Sequence, residues 1–379
     1  MEKHARKDIL RIEAYIPGKS IEEVEKEYGK KRWVKLASNE NLLGPSPKAV
    51  KALLKEAKKV YLYPDGPCGD LRRAIAERLS MPEETVVVSN GADNLILLIA
   101  NAFVDGGDEA IMADPTFTVY ANVTCLMGGK PVPVRLKEFG HDLPGMLKKI
   151  NRRTKLVFVC SPNNPTGTIV KKVELDRFLE ELPERTILVL DEAYGDFVED
   201  RDYPDSLEYV RKGRPVIVLR TFSKLYGLAG LRIGYALGRK ELVDSLYQVR
   251  EPFPVNRLAQ VAGVAALKDR DHARRSLRLV HEGRAYLYQE LGRMGLSYVP
   301  SQANFVFIDF GRNSDEVFKD LLREGVIIRP GMIWKYPTFA RVTIGGMEDN
   351  RRFIKALRKV LKEDPHPHPT PPPEGEGNR

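Results

Sequence analysis

Cysteine is scarce in this sequence: Cys68, Cys125 and Cys160 are the three, and they lie far apart. An odd, sparse set excludes a disulfide framework, and no Cys/His spacing suits a metal. His141, His272 and His281 also lack metal-ligand spacing and read as solvated or core histidines. No apolar run is long enough to cross a bilayer; the longest helical candidate, Leu95 to Val104, is interrupted by Asn101. The N-terminus carries no apolar signal segment, so a soluble cytoplasmic protein is expected. Charge of one sign is not concentrated anywhere: 61 Lys+Arg are interspersed with 52 Asp+Glu, for a net +9. Without a basic stripe and interleaved aromatics, a nucleic-acid partner is excluded. The small positive excess favours anionic substrates, weakly and in a salt-dependent way.

What is present is an ordinary globular composition, 42% hydrophobic and 30% charged, over 379 residues. That length supports a large core and two domains. Ser20 with Glu23 fits a capping box for a charged helix. Asp70 is placed to cap a helix over 71–79. From Val86 onward, apolar runs alternate with helical patterns: 86–89, 109–113, 131–136, 156–160, 186–190, 216–219 and 233–237. Runs apolar on both faces, separated by helices, predict an α/β fold with a mostly parallel sheet of about seven strands. Beyond Leu237 the pattern is more helical, with one long helical stretch over 256–291. Short strands follow at 296–299, 304–308, 326–329 and 340–344. The expected organisation is an N-terminal segment (1–43) packing with a small C-terminal α+β domain (256–364), and a large domain (44–255). A proline-rich tail, 365–379, is too polar to bury a core and is expected to be disordered.

Chemistry gathers at the strand ends. Lys224 follows the 216–219 run, among the hydroxyls of Thr221 and Ser223, with Arg232 eight residues on. A desolvated lysine amine there attacks carbonyls, and hydroxyls with a guanidinium suit a phosphate-bearing aldehyde such as pyridoxal phosphate. The Ser89-Asn-Gly-Ala-Asp93 turn into a helix offers an anion site, or is simply a turn. Asn164, in Cys160-Ser-Pro-Asn-Asn-Pro-Thr-Gly167, either points at a ligand or caps a β-turn. Asp191 ends an apolar strand, as the N-cap of the next segment or as the partner of a protonated pyridine nitrogen; Tyr194 lies three residues on. The succession of phosphate turn, Asn loop, Asp strand and Lys strand is far more specific than any one of them.

From Tyr15 to Leu361 the sequence resembles fold-type-I pyridoxal-phosphate-dependent aminotransferases, and within them the histidinol-phosphate aminotransferases. The cofactor-site segments are Asn164-Pro-Thr-Gly, Asp191-x-x-Tyr194 and Ser223-Lys224 with Arg232. The subgroup segments are Tyr15-Ile-Pro-Gly-Lys19, Ser38-Asn-Glu-Asn41, Tyr63-Pro-Asp65, Ala303-Asn-Phe305, Ile327-Ile-Arg329 and Arg341-Val-Thr-Ile-Gly345. The resemblance implies that Lys224 binds the cofactor aldehyde and then moves the substrate's Cα proton. It implies that Asp191 pairs with the pyridine nitrogen, and that Asn164 and Tyr194 bond the ring oxygen. Ala92, Asp93, Thr221, Ser223 and Arg232 would hold the phosphate, and Phe117 would stack on the ring. Tyr63 would reach the neighbouring site of a homodimer. Tyr15, Asn41, Asn164, Arg329 and Arg341 would bind substrate, the arginine pair serving either the glutamate carboxylate or the phosphate of histidinol phosphate. The implied reaction exchanges L-histidinol phosphate and 2-oxoglutarate for imidazole acetol phosphate and L-glutamate, in histidine biosynthesis. The alternatives are an aromatic amino-acid aminotransferase, a pyridoxal-phosphate-dependent phosphothreonine decarboxylase, or a non-catalytic protein of the same fold. The tail and the Gly66-Pro-Cys-Gly69 segment depart from the family pattern. No metal is implied.

Overall fold

The computed structural model describes residues 4, 6–12 and 17–362. Tyr15 and the 365–379 tail therefore lie outside the described residues. In chain order, β1 (Val34–Lys35) is followed by β2 (Val86–Ser89), β3 (Glu109–Asp114), β4 (Lys130–Arg135), β5 (Thr154–Cys160), β6 (Ile187–Asp191), β7 (Val216–Thr221) and β8 (Gly234–Gly238). The last seven form one sheet in the order β2-β8-β7-β6-β5-β3-β4. Only β8 runs against its neighbours, pairing antiparallel with both β2 and β7. Two reversals restore the direction, so β2 ends on the same side of the sheet as β3, β5, β6 and β7.

The apolar runs are continuous because both faces of this sheet are covered. Val88, Val157, Leu188 and Val218 belong to one core cluster. Their neighbours Val87, Phe158, Val189 and Leu219 belong to the other. This alternation follows from the two-residue repeat of a strand. The Gly91–Phe103 helix buries Leu95, Ile96 and Ile99 against the second face.

The C-terminal part contributes β9 (Tyr298–Val299), β10 (Phe305–Asp309), β11 (Val326–Ile327), β12 (Arg329–Pro330) and β13 (Phe339–Thr343). Four of these make an antiparallel sheet ordered β12-β13-β10-β9. β11 instead pairs in parallel with β1, Val34 opposite Val326, which ties the N-terminal segment to this part of the chain.

Three local expectations are corrected by the structure. The helical stretch over 256–291 is two helices, Arg257–Leu267 and Arg270–Arg293, because the Asp269 carboxylate caps the second by accepting from the His272 N–H at 3.4 Å. Asp70 is not the cap of its helix, which begins at Gly69; Asp65 Oδ2 accepts the Gly69 N–H at 2.6 Å instead. The single strand expected at 326–329 is two, split at Ile328 between different sheets. At Ser20 and Glu23 both capping-box bonds are present, at 3.1 and 2.7 Å.

Candidate active site

The ends of β2, β3, β5, β6 and β7 open on one cavity of about 370 Å³, lined by Ala92, Asp93, Phe117, Cys160, Asn164, Asp191, Tyr194, Thr221, Ser223, Lys224, Arg232, Arg329 and Arg341. This is the expected position in an α/β sheet, since the strand termini leave a crevice that helices do not cover. The volume suits a ring-sized cofactor together with a small substrate.

Lys224 is partly buried and its Nζ donates to the Ser38 carbonyl at 3.1 Å. Burial first, then the positive charge of Arg341, lower its pKa from 10.5 to about 8; Glu40 and Asp93 oppose this, and Arg232 adds to it. The amine is thus poised to act as a nucleophile and base.

Asp191 closes β6 with 4% of its surface exposed. Its Oδ2 accepts from the Tyr120 hydroxyl at 2.6 Å and its Oδ1 from the Ala193 N–H at 3.0 Å. Burial raises this carboxyl from 3.8 to about 6 in spite of those bonds. A buried carboxylate with two hydrogen bonds and, among the described residues, no cation bonded to it is a ready counter-charge for a cationic group entering the cavity.

Around the first turn of the Gly91–Phe103 helix, the backbone is set for a close approach. Gly91 has φ +84°, and a Cβ there would lie 2.7 Å from Arg232 Nη2. A Cβ on Gly234 would lie 2.5 Å from the Ala92 nitrogen. Arg232 is drawn over this turn, bonded to Asp93 Oδ2 at 3.0 Å and touching Ser223 Oγ at 3.5 Å. The Thr221 hydroxyl accepts the Ser223 N–H at 3.0 Å. Helix N–H groups, two hydroxyls and a guanidinium converge here as phosphate ligands would.

Across the cavity, Arg329 and Arg341 are directly opposed Cα partners on β12 and β13. Both are nearly buried, at 9% and 7% exposure. Two guanidinium groups set opposite each other in this way are suited to share one anion. Arg341 is fixed closely: Nη1 donates to Asn164 Oδ1 at 2.6 Å and Nη2 to the Ala37 carbonyl at 2.7 Å. Its guanidinium also lies 5.5 Å from the Phe305 ring centre and 5.3 Å from that of Trp334.

One residue expected at the site lies elsewhere, and Tyr63, expected to reach a neighbouring site, lies outside this chain's cavity. Asn41 is not among the cavity residues: its amide donates to the Leu225 carbonyl at 2.7 Å and to Ser276 Oγ at 2.9 Å, which fastens a loop. Its near neighbours Asn39 and Glu40 line the cavity instead. Tyr63 is 78% exposed, stacked on Phe253 with centroids 4.7 Å apart. Sequence reasoning missed Asn39, which donates to the Tyr194 hydroxyl at 3.0 Å, and the Lys35–Glu40 pair at 2.7 Å. The Ser38-Asn-Glu-Asn41 segment carried the signal, but it was read at Asn41, two residues beyond Asn39. Tyr120 carried none. Cys160, read as inert packing, lines the cavity as the register partner of Asp191, though burial pushes its thiol well up and makes it unreactive.

A lysine of lowered pKa and a buried carboxylate at the ends of a mostly parallel sheet are the features of a transferase site of the pyridoxal-phosphate type. Residues 31–357 match the family model for aminotransferase class I and II, and the chain belongs to that family. Among relatives, the histidinol-phosphate aminotransferase of Moorella thermoacetica is 52% identical over 94% of this chain and 92% of its own length. That of Caldicellulosiruptor saccharolyticus is 45% identical over 94% and 99%. The structure of histidinol-phosphate aminotransferase from Sinorhizobium meliloti, in complex with pyridoxal-5'-phosphate, aligns with a TM-score of 0.88 at 27% identity, covering 95% of this chain and 98% of that one. Within its class the chain falls among the histidinol-phosphate aminotransferases.

Proposed function

We infer that this protein transfers an amino group from glutamate to imidazole acetol phosphate, forming L-histidinol phosphate and 2-oxoglutarate, a step of histidine biosynthesis. The observation that carries the substrate reading is the Arg329–Arg341 pair facing Lys224 and Asp191 in one cavity. Fixed guanidinium forks bind a carboxylate or a phosphate equally well, and the two substrates present one or the other.

Pyridoxal phosphate, when bound, acts as an electron sink that acidifies the substrate's Cα–H. Lys224 would hold it through its aldehyde and then carry the Cα proton. Asp191 would supply the counter-charge to its ring nitrogen. The N–H groups of Ala92 and Asp93, with Thr221, Ser223 and Arg232, would hold its phosphate; the Asp93 carboxylate orients Arg232 rather than meeting the anion. Phe117 would cover the ring. Asn164 and Tyr194 would bond its oxygen, Tyr194 receiving a hydrogen bond from Asn39 and using its own O–H as the donor.

A patch of Leu54, Val60, Tyr61, Leu62, Tyr63 and Phe253 is exposed, Tyr61 to 81%. Its apolar character supports a homodimer in which Tyr63 reaches the neighbouring site. Among the described residues no helix is long and apolar enough to cross a membrane. This fits a cytoplasmic biosynthetic enzyme.

Absorbance spectra tell the rivals apart. The cofactor band is expected to change with glutamate and to return with imidazole acetol phosphate. Return with phenylpyruvate alone would make the protein an aromatic aminotransferase. Release of CO2 from phosphothreonine would make it a decarboxylase, and no response to any amino donor a non-catalytic protein.

With Lys224 near 8, roughly a tenth of its amine is neutral at pH 7 and about nine-tenths at pH 9. The rate of pyridoxal phosphate incorporation, followed by stopped-flow absorbance, therefore rises about tenfold over that range and then levels. An unshifted lysine would keep rising to beyond pH 10. Arg341→Leu raises KM for glutamate and for histidinol phosphate together, by roughly 10- to 100-fold each, since a hydrogen bond to a charged group contributes about 1.5–3 kcal/mol. Steady-state kinetics check this; a KM change for one substrate only would mean that the anions bind separately.

A further inference from the structure

The Asp191 carboxylate is held by a residue outside every motif above. Tyr120, in the Val119–Leu126 helix, is fully buried. Its ring stacks on Phe158 with centroids 4.6 Å apart and planes 10° apart, and Phe117 meets it edge-on at 5.7 Å. The hydroxyl so fixed donates to Asp191 Oδ2 at 2.6 Å. A phenylalanine would stack equally well, so packing does not account for the hydroxyl.

Resting on the aminotransferase reading of this cavity, we propose that Tyr120 is a positioning residue for the reaction, its hydroxyl fixing the Asp191 carboxylate as counter-charge to the cofactor's ring nitrogen. The titratable groups that act on Asp191 are Cys160 on β5, Tyr194 beyond β6, Asp93 on the Gly91–Phe103 helix, and the adjacent Glu192, whose carboxylate is itself held by Arg220 at 2.9 Å; the cations Lys224 and Arg232 line the same cavity. Two of these are carboxylates, which favour a proton on Asp191; the thiol and the phenol are neutral. The Tyr120 O–H acts in the opposite direction, because a donor to a carboxylate stabilises its ionised form. The Ala193 N–H on Oδ1 helps, but it leaves Oδ2 to Tyr120. The rigid ring stack means that little side-chain entropy is lost in holding this bond.

The test is the binding of pyridoxal phosphate, and of its analogue with C–H in place of the ring nitrogen, titrated by absorbance from pH 5 to 9. Wild type and Tyr120→Phe are compared, each alone and with Asp191→Asn. Tyr120→Phe is expected to weaken pyridoxal phosphate about tenfold at neutral pH, one charge-assisted hydrogen bond's worth. Its affinity should also begin to fall at a higher pH than in wild type, as the carboxylate takes up its proton sooner. The analogue should bind both proteins alike, and with Asp191→Asn the added Tyr120→Phe change should cost less than twofold. Equal loss for both ligands would mean that Tyr120 only supports the fold. An unchanged affinity and pH midpoint would mean that it does nothing for Asp191. Either result overturns the proposal while the aminotransferase reading stands. A wild-type protein that fails to bind pyridoxal phosphate would overturn both.

Discussion

Lys224→Ala is expected to lower turnover by at least about 10⁴-fold, since it removes covalent capture of the cofactor and the proton carrier in one change. The geometry supports an effect of that size. The amine projects into the cavity from just past β7, and its bond to the Ser38 carbonyl keeps it within the site. Among the described residues the other amine lining the cavity is that of Lys35, which is paired with Glu40 at 2.7 Å and so does not replace that of Lys224. Borohydride reduction followed by mass spectrometry gives an independent check: the wild type retains a covalent cofactor on the peptide containing Lys224, and the variant retains none. Full activity in the variant, or label on another lysine, would remove Lys224 from its role.

Asp191→Asn should reduce kcat by about 10³-fold, the scale of one preorganised charge removed from a water-poor site. The same change should stabilise the cofactor-free protein. Burial raises the Asp191 carboxyl from 3.8 to about 6, a penalty of ~3 kcal/mol on the ionised form in the folded state. The sign follows from proton uptake. Between these two values the folded state binds more protons than the unfolded one, so stability falls as pH rises from about 4 to 6 and stays lower above. Asparagine carries no such charge, and the Tyr120 hydroxyl can turn to accept from its amide. Thermal melts of cofactor-free protein should therefore show Asp191→Asn the more stable above pH 6, with the difference vanishing near pH 4. A variant that is less stable at pH 8 would mean that the carboxylate's hydrogen bonds outweigh its burial. The more stable variant expected here would mean that function accounts for the aspartate better than stability does, as is common where a site holds a buried charge.

Much of this was legible in the one-dimensional pattern. Continuous apolar runs specify strands covered on both faces, because a residue on either face of β5 or β6 meets a packed layer. A lysine, an aspartate and an asparagine each placed just beyond such a run must emerge at one edge of the sheet when the strands are parallel. Lys224, Asp191 and Asn164 were therefore readable as a group without any coordinates. Local chemistry of short range, such as the Ser20–Glu23 capping box, was equally plain.

What pairs across the chain was not legible. The 326–329 run has one apolar texture, yet the tertiary structure divides it at Ile328, giving β11 to β1 and β12 to β13. That division is what sets Arg329 opposite Arg341, and no periodicity encodes it. Asn39 rather than Asn41 faces the cavity because tertiary partners claim each amide: Tyr194 and Thr343 hold Asn39, whereas the Leu225 carbonyl and the Ser276 hydroxyl draw Asn41 away. Tyr120 looks like any aromatic residue on a core helix until the fold brings its hydroxyl to Asp191, 71 positions away. The sequence by itself determined the class of fold and which residue types carry the chemistry, since both follow from local pattern. Only the tertiary structure decided which side chains meet, because contacts distant in sequence depend on how sheets and helices pack.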